Sequence, residues 1–137
     1  MTQGFVDNFE FTTRYCETDQ MGVVNHARYF DWFSEGRVSW LKSQGFLYSE
    51  WEKEGLVLPV VDCRCQFKKS AYFQEKLKLQ TRVSELKRKI ISFSYELKNE
   101  SGDLLARAST RHVFLKDGGM VSMEPEVFSR FQEAVAR

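Results

Sequence analysis

The sequence predicts an α+β domain in which one antiparallel sheet packs on a single long helix. Three observations carry this. Residues 26–44 hold a wide apolar arc and no proline; several later stretches alternate apolar and polar residues with a period of two; and turns, not further helices, separate those stretches. Strands joined by short turns run antiparallel. A helix rich in rings needs a sheet to cover it, which gives two layers around one core. At 137 residues the chain forms one domain, residues 1–137, large enough to bury roughly two-thirds of its unfolded surface.

The elements follow in order. Residues 8–16 place Phe9, Phe11, Thr13 and Tyr15 on one face, which reads as a strand. A polar loop, Glu17-Thr18-Asp19-Gln20-Met21-Gly22, precedes the helix over 26–44, with Asn25 as its expected N-cap and Gly45 as its expected stop. Phe30, Trp32, Val38 and Leu41 widen the arc set by Tyr29, Phe33 and Trp40, so burial is expected over much of the helix surface. Gly36 in mid-helix costs about 1 kcal/mol against alanine, which close approach of another backbone would explain. Val57, Pro59, Val61, Cys63, Cys65 and Phe67 share a face of the next strand. Leu77 to Val83, Phe93 to Leu97, and Leu104 to Phe114 supply three more, with a turn at residues 99–103. Pro125 opens a tail helix over about 125–136. The expected sheet is thus curved, of about five strands, around one central helix. Its free edges suggest that sheets pair between subunits.

Composition excludes several function classes. Twenty basic against nineteen acidic side chains leave a net charge of +1, so no global field draws nucleic acid, and an anionic ligand needs a local cluster. No apolar run approaches the roughly 20 residues of a membrane span. Met1-Thr2-Gln3-Gly4 carries neither the basic nor the apolar region of a secretion signal. Three cysteines, Cys16, Cys63 and Cys65, lack a C-x-x-C pair. The odd count argues against disulfides or a zinc site, and Cys63 and Cys65, two apart in a strand-like run, read as small core residues in a reducing cytoplasm. A G-x-S-x-G elbow, a phosphate loop and an H-E-x-x-H helix are all absent.

Chemistry concentrates between Tyr15 and Arg37. Asp19 stands in a loop, then Gly22, then a helix start near His26. Backbone N–H groups at a helix N-terminus polarise a carbonyl and hold an oxyanion. Gly22 permits a tight loop and close approach of substrate. Asp19 can face that carbonyl as base or nucleophile, although an aspartate before a glycine turn also serves simply as a turn residue.

The run Tyr15, Glu17, Thr18, Asp19, Gly22, Val23, Val24, His26, Tyr29, Phe33, Arg37 resembles the signature of the 4-hydroxybenzoyl-CoA thioesterase branch of hotdog enzymes. Phe67-Lys68-Lys69-Ser70-Ala71, Leu86-Lys87-Arg88-Lys89 and Arg111-His112-Val113-Phe114 resemble further segments, so the likeness covers nearly the whole chain. It implies a hotdog fold and a homodimer with joined sheets, often paired again into a homotetramer. It implies hydrolysis of an acyl-CoA thioester without metal or organic cofactor. Asp19 falls on the family's catalytic carboxylate, as nucleophile or as base on water. His26 falls where the backbone N–H at the helix start polarises the carbonyl, its imidazole either orienting Asp19 or substrate or merely contacting the loop. Gly22, Val23, Val24, Asn25 and Tyr29 would line the substrate. Ser34, Gly36, Ser70 and Lys87 depart from the family's usual Glu, Ala, Pro and Gly. Glu35 projects about 100° from Ser34 and is a poor substitute for that glutamate.

Lys68, Lys69, Arg88 and Lys89 are candidates for the CoA phosphates, against a plain solvated surface. His112, on an apolar strand face, reads as a core histidine with its hydrogen bonds satisfied. Two alternatives stay open: a non-catalytic module binding acyl-CoA or acyl-carrier protein, and a hotdog hydratase or dehydratase. The second lacks its usual H-x-x-x-x-P-G after His26.

Overall fold

A computed structural model describes residues 4–19 and 22–136. Gln20 and Met21 of the polar loop, and the first three residues of the N-terminal stretch, lie outside the described residues. In chain order the elements are β1 (Asp7–Thr12), a 3₁₀ turn (Tyr15–Glu17), α1 (Ala27–Ser43), α2 (Tyr48–Lys53), β2 (Leu56–Val57), β3 (Val60–Phe67), β4 (Lys76–Leu86), β5 (Ile90–Asn99), β6 (Leu104–Val113), β7 (Leu115–Lys116), β8 (Gly119–Met120) and α3 (Pro125–Ala136). The main sheet runs β1-β4-β5-β6-β3, antiparallel at every pairing, and β2, β7 and β8 form a small second sheet.

The period-two reading holds for β4, β5 and β6. Leu77, Leu79, Thr81, Val83, Phe93, Tyr95, Leu97, Ala106, Ala108, Thr110 and His112 all point inward and are buried. The outward positions carry charge instead: Glu96 lies 3.7 Å from Arg82 and 3.3 Å from Arg107, and Glu85 lies 3.0 Å from Arg111. Solvated pairs of this kind add little stability, but they make the outer face a wet one. The inner face packs on α1, which buries Tyr29, Trp32, Phe33, Gly36, Trp40 and Leu41. Rings dominate this core. Phe33 stacks on Tyr95 at 4.7 Å, and Trp40 meets Phe93 and Phe131 edge-on, geometries that add to plain burial.

Gly36 sits where α1 crosses β4. A Cβ there would lie 2.6 Å from both Leu79 Cδ2 and Thr81 Oγ1. The close approach is thus by side chains, not by a backbone. Both neighbours are fully buried, so alanine forces helix and strand apart. Overpacking of this kind costs 1–3 kcal/mol, against about 1 kcal/mol gained in helix propensity. Gly36→Ala is therefore expected to lower the melting temperature; an unchanged or raised midpoint would remove the close crossing as the reason for glycine.

The ends of α1 follow from local chemistry. Asn25 does the expected capping from one residue further out: its Oδ1 accepts the Ala27 N–H at 2.9 Å and its carbonyl accepts that of Arg28, while His26 already has helical backbone angles. At the other end Gly45 has φ +89. Its N–H reaches the Lys42 carbonyl, and that of Phe46 reaches Leu41, a left-handed stop only glycine takes without cost.

Four further expectations are corrected. The first strand ends at Thr12, and Tyr15 and Cys16 sit exposed in the 3₁₀ turn, because the Glu17 side chain accepts the Arg14 N–H and closes the chain there. Phe30 and Val38 lie on the side of α1 away from the sheet and are 39% and 41% exposed. The stretch 57–68 is two strands, broken around Pro59, which has no N–H for a ladder. Finally, Cys63 is exposed and Cys65 half-buried, since β3 is a sheet edge with a neighbour on one side only.

A row of polar groups crosses the core. Arg37 on α1 lies 3.1 Å from the Tyr95 hydroxyl, Tyr95 2.6 Å from Thr110 Oγ1, Thr110 2.8 Å from His112 Nε2, and His112 Nδ1 3.0 Å from the Leu58 carbonyl. His112 is wholly buried with both nitrogens satisfied, the core histidine expected.

Candidate active site

The loop between the 3₁₀ turn and α1 folds back on itself. Its neck is closed by the Asn25 N–H donating to the Glu17 carbonyl at 3.0 Å and by bridge pairing of Thr18 with Val24. Further in, the Asp19 N–H donates to the Val23 carbonyl at 2.8 Å and the Gly22 N–H to the Asp19 carbonyl. The Asp19 carboxylate accepts the Val23 N–H at 3.3 Å, and the residue is exposed. Gly22 has φ +77 with open space where a side chain would be, so the tight reversal is the reason for glycine here. The loop is sewn to the segment before β4: Val24 donates to Ala71 and Phe73 to Gly22.

The strand-like neck delivers the chain straight into α1. Asp19 and the first turn of the helix thus lie on the two arms of one short hairpin. Among the described residues, the Ala27 and Arg28 N–H groups are taken by Asn25, and the His26 N–H makes no hydrogen bond. The exposed His26 ring stacks on Phe67 at 3.9 Å, 13° from parallel, with Tyr29 edge-on to both. Phe67, at the end of β3, was not among the expected site residues; an aromatic on an edge strand looks like any core residue in sequence. The Tyr29 ring is buried beneath, and burial raises the pKa of its phenol. Cys65, on the same strand, is no competing nucleophile: burial, then Cys63, pushes its thiol up to about 11.

A family model described as the thioesterase-like superfamily matches residues 13–133. The chain belongs to the thioesterase-like superfamily. Its relatives are named accordingly. A Bacillus subtilis protein provisionally named acyl-CoA thioesterase YneP is 37% identical over 79% of this chain and 78% of its own. The acyl-CoA thioesterase YbgC of Haemophilus influenzae is 31% identical over 91% of this chain and 92% of its own. Among solved structures, a DHNA-CoA thioesterase from Staphylococcus aureus matches with a TM-score of 0.90 at 31% identity, covering 94% of this chain and 90% of that one. A 4-hydroxybenzoyl-CoA thioesterase variant complexed with 4-hydroxybenzoyl-CoA shares the fold, with a TM-score of 0.81 at 18% identity. The likeness of fold to these thioesterases is the hotdog arrangement expected above.

In this thioesterase-like chain, Gly22, Val23, Val24, Asn25, His26 and Tyr29 gather around the loop that carries Asp19. Lys68 and Lys69 follow directly on Phe67, and Lys69 pairs with Asp103 at 3.4 Å. Arg88 and Lys89 lie elsewhere, in the β4–β5 hairpin. There Arg88 is held over the Phe128 ring and donates to the Met123 carbonyl. The ten residues of β5 separate the two pairs, roughly 30 Å at the rise of a strand. Within one chain the four basic residues therefore form no single cluster. A hollow of about 660 Å³ beside Phe11, Lys76 and Lys98 does not include Asp19 or His26.

Proposed function

We propose that the protein hydrolyses acyl-CoA thioesters, with Asp19 supplying the chemistry and the N–H at the start of α1 polarising the thioester carbonyl. The observation that carries this reading is the hairpin that puts a carboxylate on one arm and, on the other, a helix-start N–H that no described residue takes, in a chain whose relatives bear thioesterase names. Asp19 either attacks the carbonyl carbon, giving an anhydride that water then opens, or takes a proton from the water that attacks. Both routes break the carbon–sulfur bond: on the base route the proton taken from water passes to the departing thiolate, and on the nucleophile route the thiolate leaves as the anhydride forms and is balanced by the proton released when water opens the anhydride. The developing oxyanion faces the His26 N–H and the positive end of the helix. Neither route calls for a metal or organic cofactor.

The working unit in this proposal is at least a homodimer in the cytoplasm. β3 offers an open edge with Val60 and Val61 46% and 57% exposed, the kind of edge that pairs with another strand. Val60 and the β4–β5 hairpin lie at one end of the sheet and Phe67 at the other. Two-fold antiparallel pairing of β3 with its copy would bring Lys68 and Lys69 of one chain near Arg88 and Lys89 of the next. That joins the basic residues that one chain keeps apart, and offers the CoA phosphates a shared cluster. A second pairing into a homotetramer would leave this arrangement unchanged.

The test is release of free thiol from aliphatic and aryl acyl-CoAs, with the mass in solution measured on the same sample. Turnover by a species of two or four chains is expected. Binding of acyl-CoA without thiol release would instead favour the non-catalytic module, and a monomer would remove the shared cluster.

A further inference from the structure

Glu17 is a buried carboxylate that the reaction as described does not use. It is 3% exposed, two residues before Asp19, and its contacts tie the loop to Arg14 and to Trp32 of α1. Oε1 accepts the Arg14 backbone N–H at 2.7 Å. Oε2 accepts the Trp32 indole N–H at 2.7 Å and the Arg14 guanidinium at 3.4 Å. Its own carbonyl accepts the Asn25 N–H, closing the neck of the hairpin. Trp32 is itself fixed, stacked on Tyr29 at 4.9 Å and tilted against Phe11 at 4.9 Å. The side chain thus joins the arm leading to Asp19 to the second turn of α1, and the carbonyl of the same residue ties in Asn25 at the neck.

Resting on the Asp19 reading above, we infer that Glu17 is a positioning residue: it fixes the Asp19 carboxylate relative to the helix-start N–H by bolting their shared hairpin to Trp32. Catalysis needs such groups held to fractions of an ångström, and loops hold them less well than helices do. The clamp requires an acceptor at both oxygens, because Arg14 and Trp32 both donate. Burial alone would favour the neutral acid, but the hydrogen bonds from the Arg14 backbone, the Trp32 indole and the Arg14 guanidinium outweigh it and hold the carboxyl below its usual range. Glutamine has the same shape yet presents an N–H₂ to one of those two donors, so one half of the clamp opens. Trp32→Phe opens the other half while keeping an aromatic ring in place.

The experiment measures kcat and KM on an acyl-CoA that the wild type hydrolyses, for Glu17→Gln, Trp32→Phe, the double variant and Asp19→Asn, with thermal melts to establish folding. A misplaced carboxylate loses transition-state contact, so kcat should fall roughly 10- to 100-fold in each clamp variant with KM within about twofold, and the double variant should be little worse than either single one. Wild-type kcat in folded Glu17→Gln and Trp32→Phe, or losses that multiply in the double variant, would overturn the positioning role. Trp32→Phe carries the test alone if Glu17→Gln does not fold. Full activity in Asp19→Asn would mark failure of the underlying reading instead; a dead Asp19→Asn beside fully active clamp variants would mark failure of this inference only.

Discussion

Replacing Asp19 by asparagine should reduce thiol release by a factor of about 100 or more, equivalent to about 2.7 kcal/mol of transition-state stabilisation. Asparagine keeps the size of the side chain and an oxygen for the Val23 N–H, so the hairpin should close as before. It removes the negative charge and the basic lone pair that both routes require. The residual rate should come from the His26 N–H and from substrate binding, which act whether or not the carboxylate is present. The loss should fall on kcat and kcat/KM alike, since the carboxylate acts mainly in the transition state. Equal turnover in the two proteins would take Asp19 out of the reaction and leave the hairpin as a binding feature.

Acid should destabilise the fold as pH falls below about 6.5, and His112 is the reason. Burial depresses its pKa to about 4. The Leu58 and Pro59 backbone opposes this and the Arg37 charge adds to it. Unfolded, the same side chain titrates near 6.5. Between those values the unfolded chain binds a proton that the folded one refuses, so stability is full above about pH 6.5 and falls as pH drops towards 4. The loss is about 3 kcal/mol if the whole shift is expressed, a large share of a typical domain's stability. Urea unfolding from pH 8 to pH 4 measures it. His112→Phe, although less stable throughout because the Leu58 carbonyl loses its donor, should show a flatter profile across that window. An equally steep profile in His112→Phe would assign the effect to other groups.

Legibility in the sequence divided along physical lines. β4, β5 and β6 were readable because each has neighbours on both sides and a helix on one face, so alternation of residue type maps directly onto burial. β3 has the same alternation but lies at an edge. Cys63 and Val61 alternate correctly and are nevertheless exposed, because periodicity reports which side a residue faces and not what covers it. Phe30 and Val38 failed in the same way on α1. The loop carrying Asp19 was visible through the resemblance of its residues. The role of Glu17 was not, since a glutamate in a polar loop looks solvated until its indole partner fifteen residues later is seen. The four basic residues were each plausible, but nothing in a linear sequence tells which end of a sheet a hairpin occupies.

The polar row from Arg37 to Leu58 has a direction. A guanidinium can only donate and a carbonyl oxygen can only accept. Between these ends the Tyr95 hydroxyl, the Thr110 hydroxyl and the His112 ring each have one hydrogen for the row. Only one arrangement fits: every hydrogen points from the helix towards Leu58, and His112 carries its proton on Nδ1. The middle members do not choose this order; the two ends impose it. A serine at position 110 would keep it, and so would an acceptor in place of Arg37, because the Leu58 carbonyl still takes the Nδ1 hydrogen; the Tyr95 hydroxyl would then face two acceptors with one hydrogen. A backbone carbonyl before β3 therefore sets the tautomer of His112 and, through it, the direction of the hydroxyls back to the central helix, through nothing more than the counting of hydrogens.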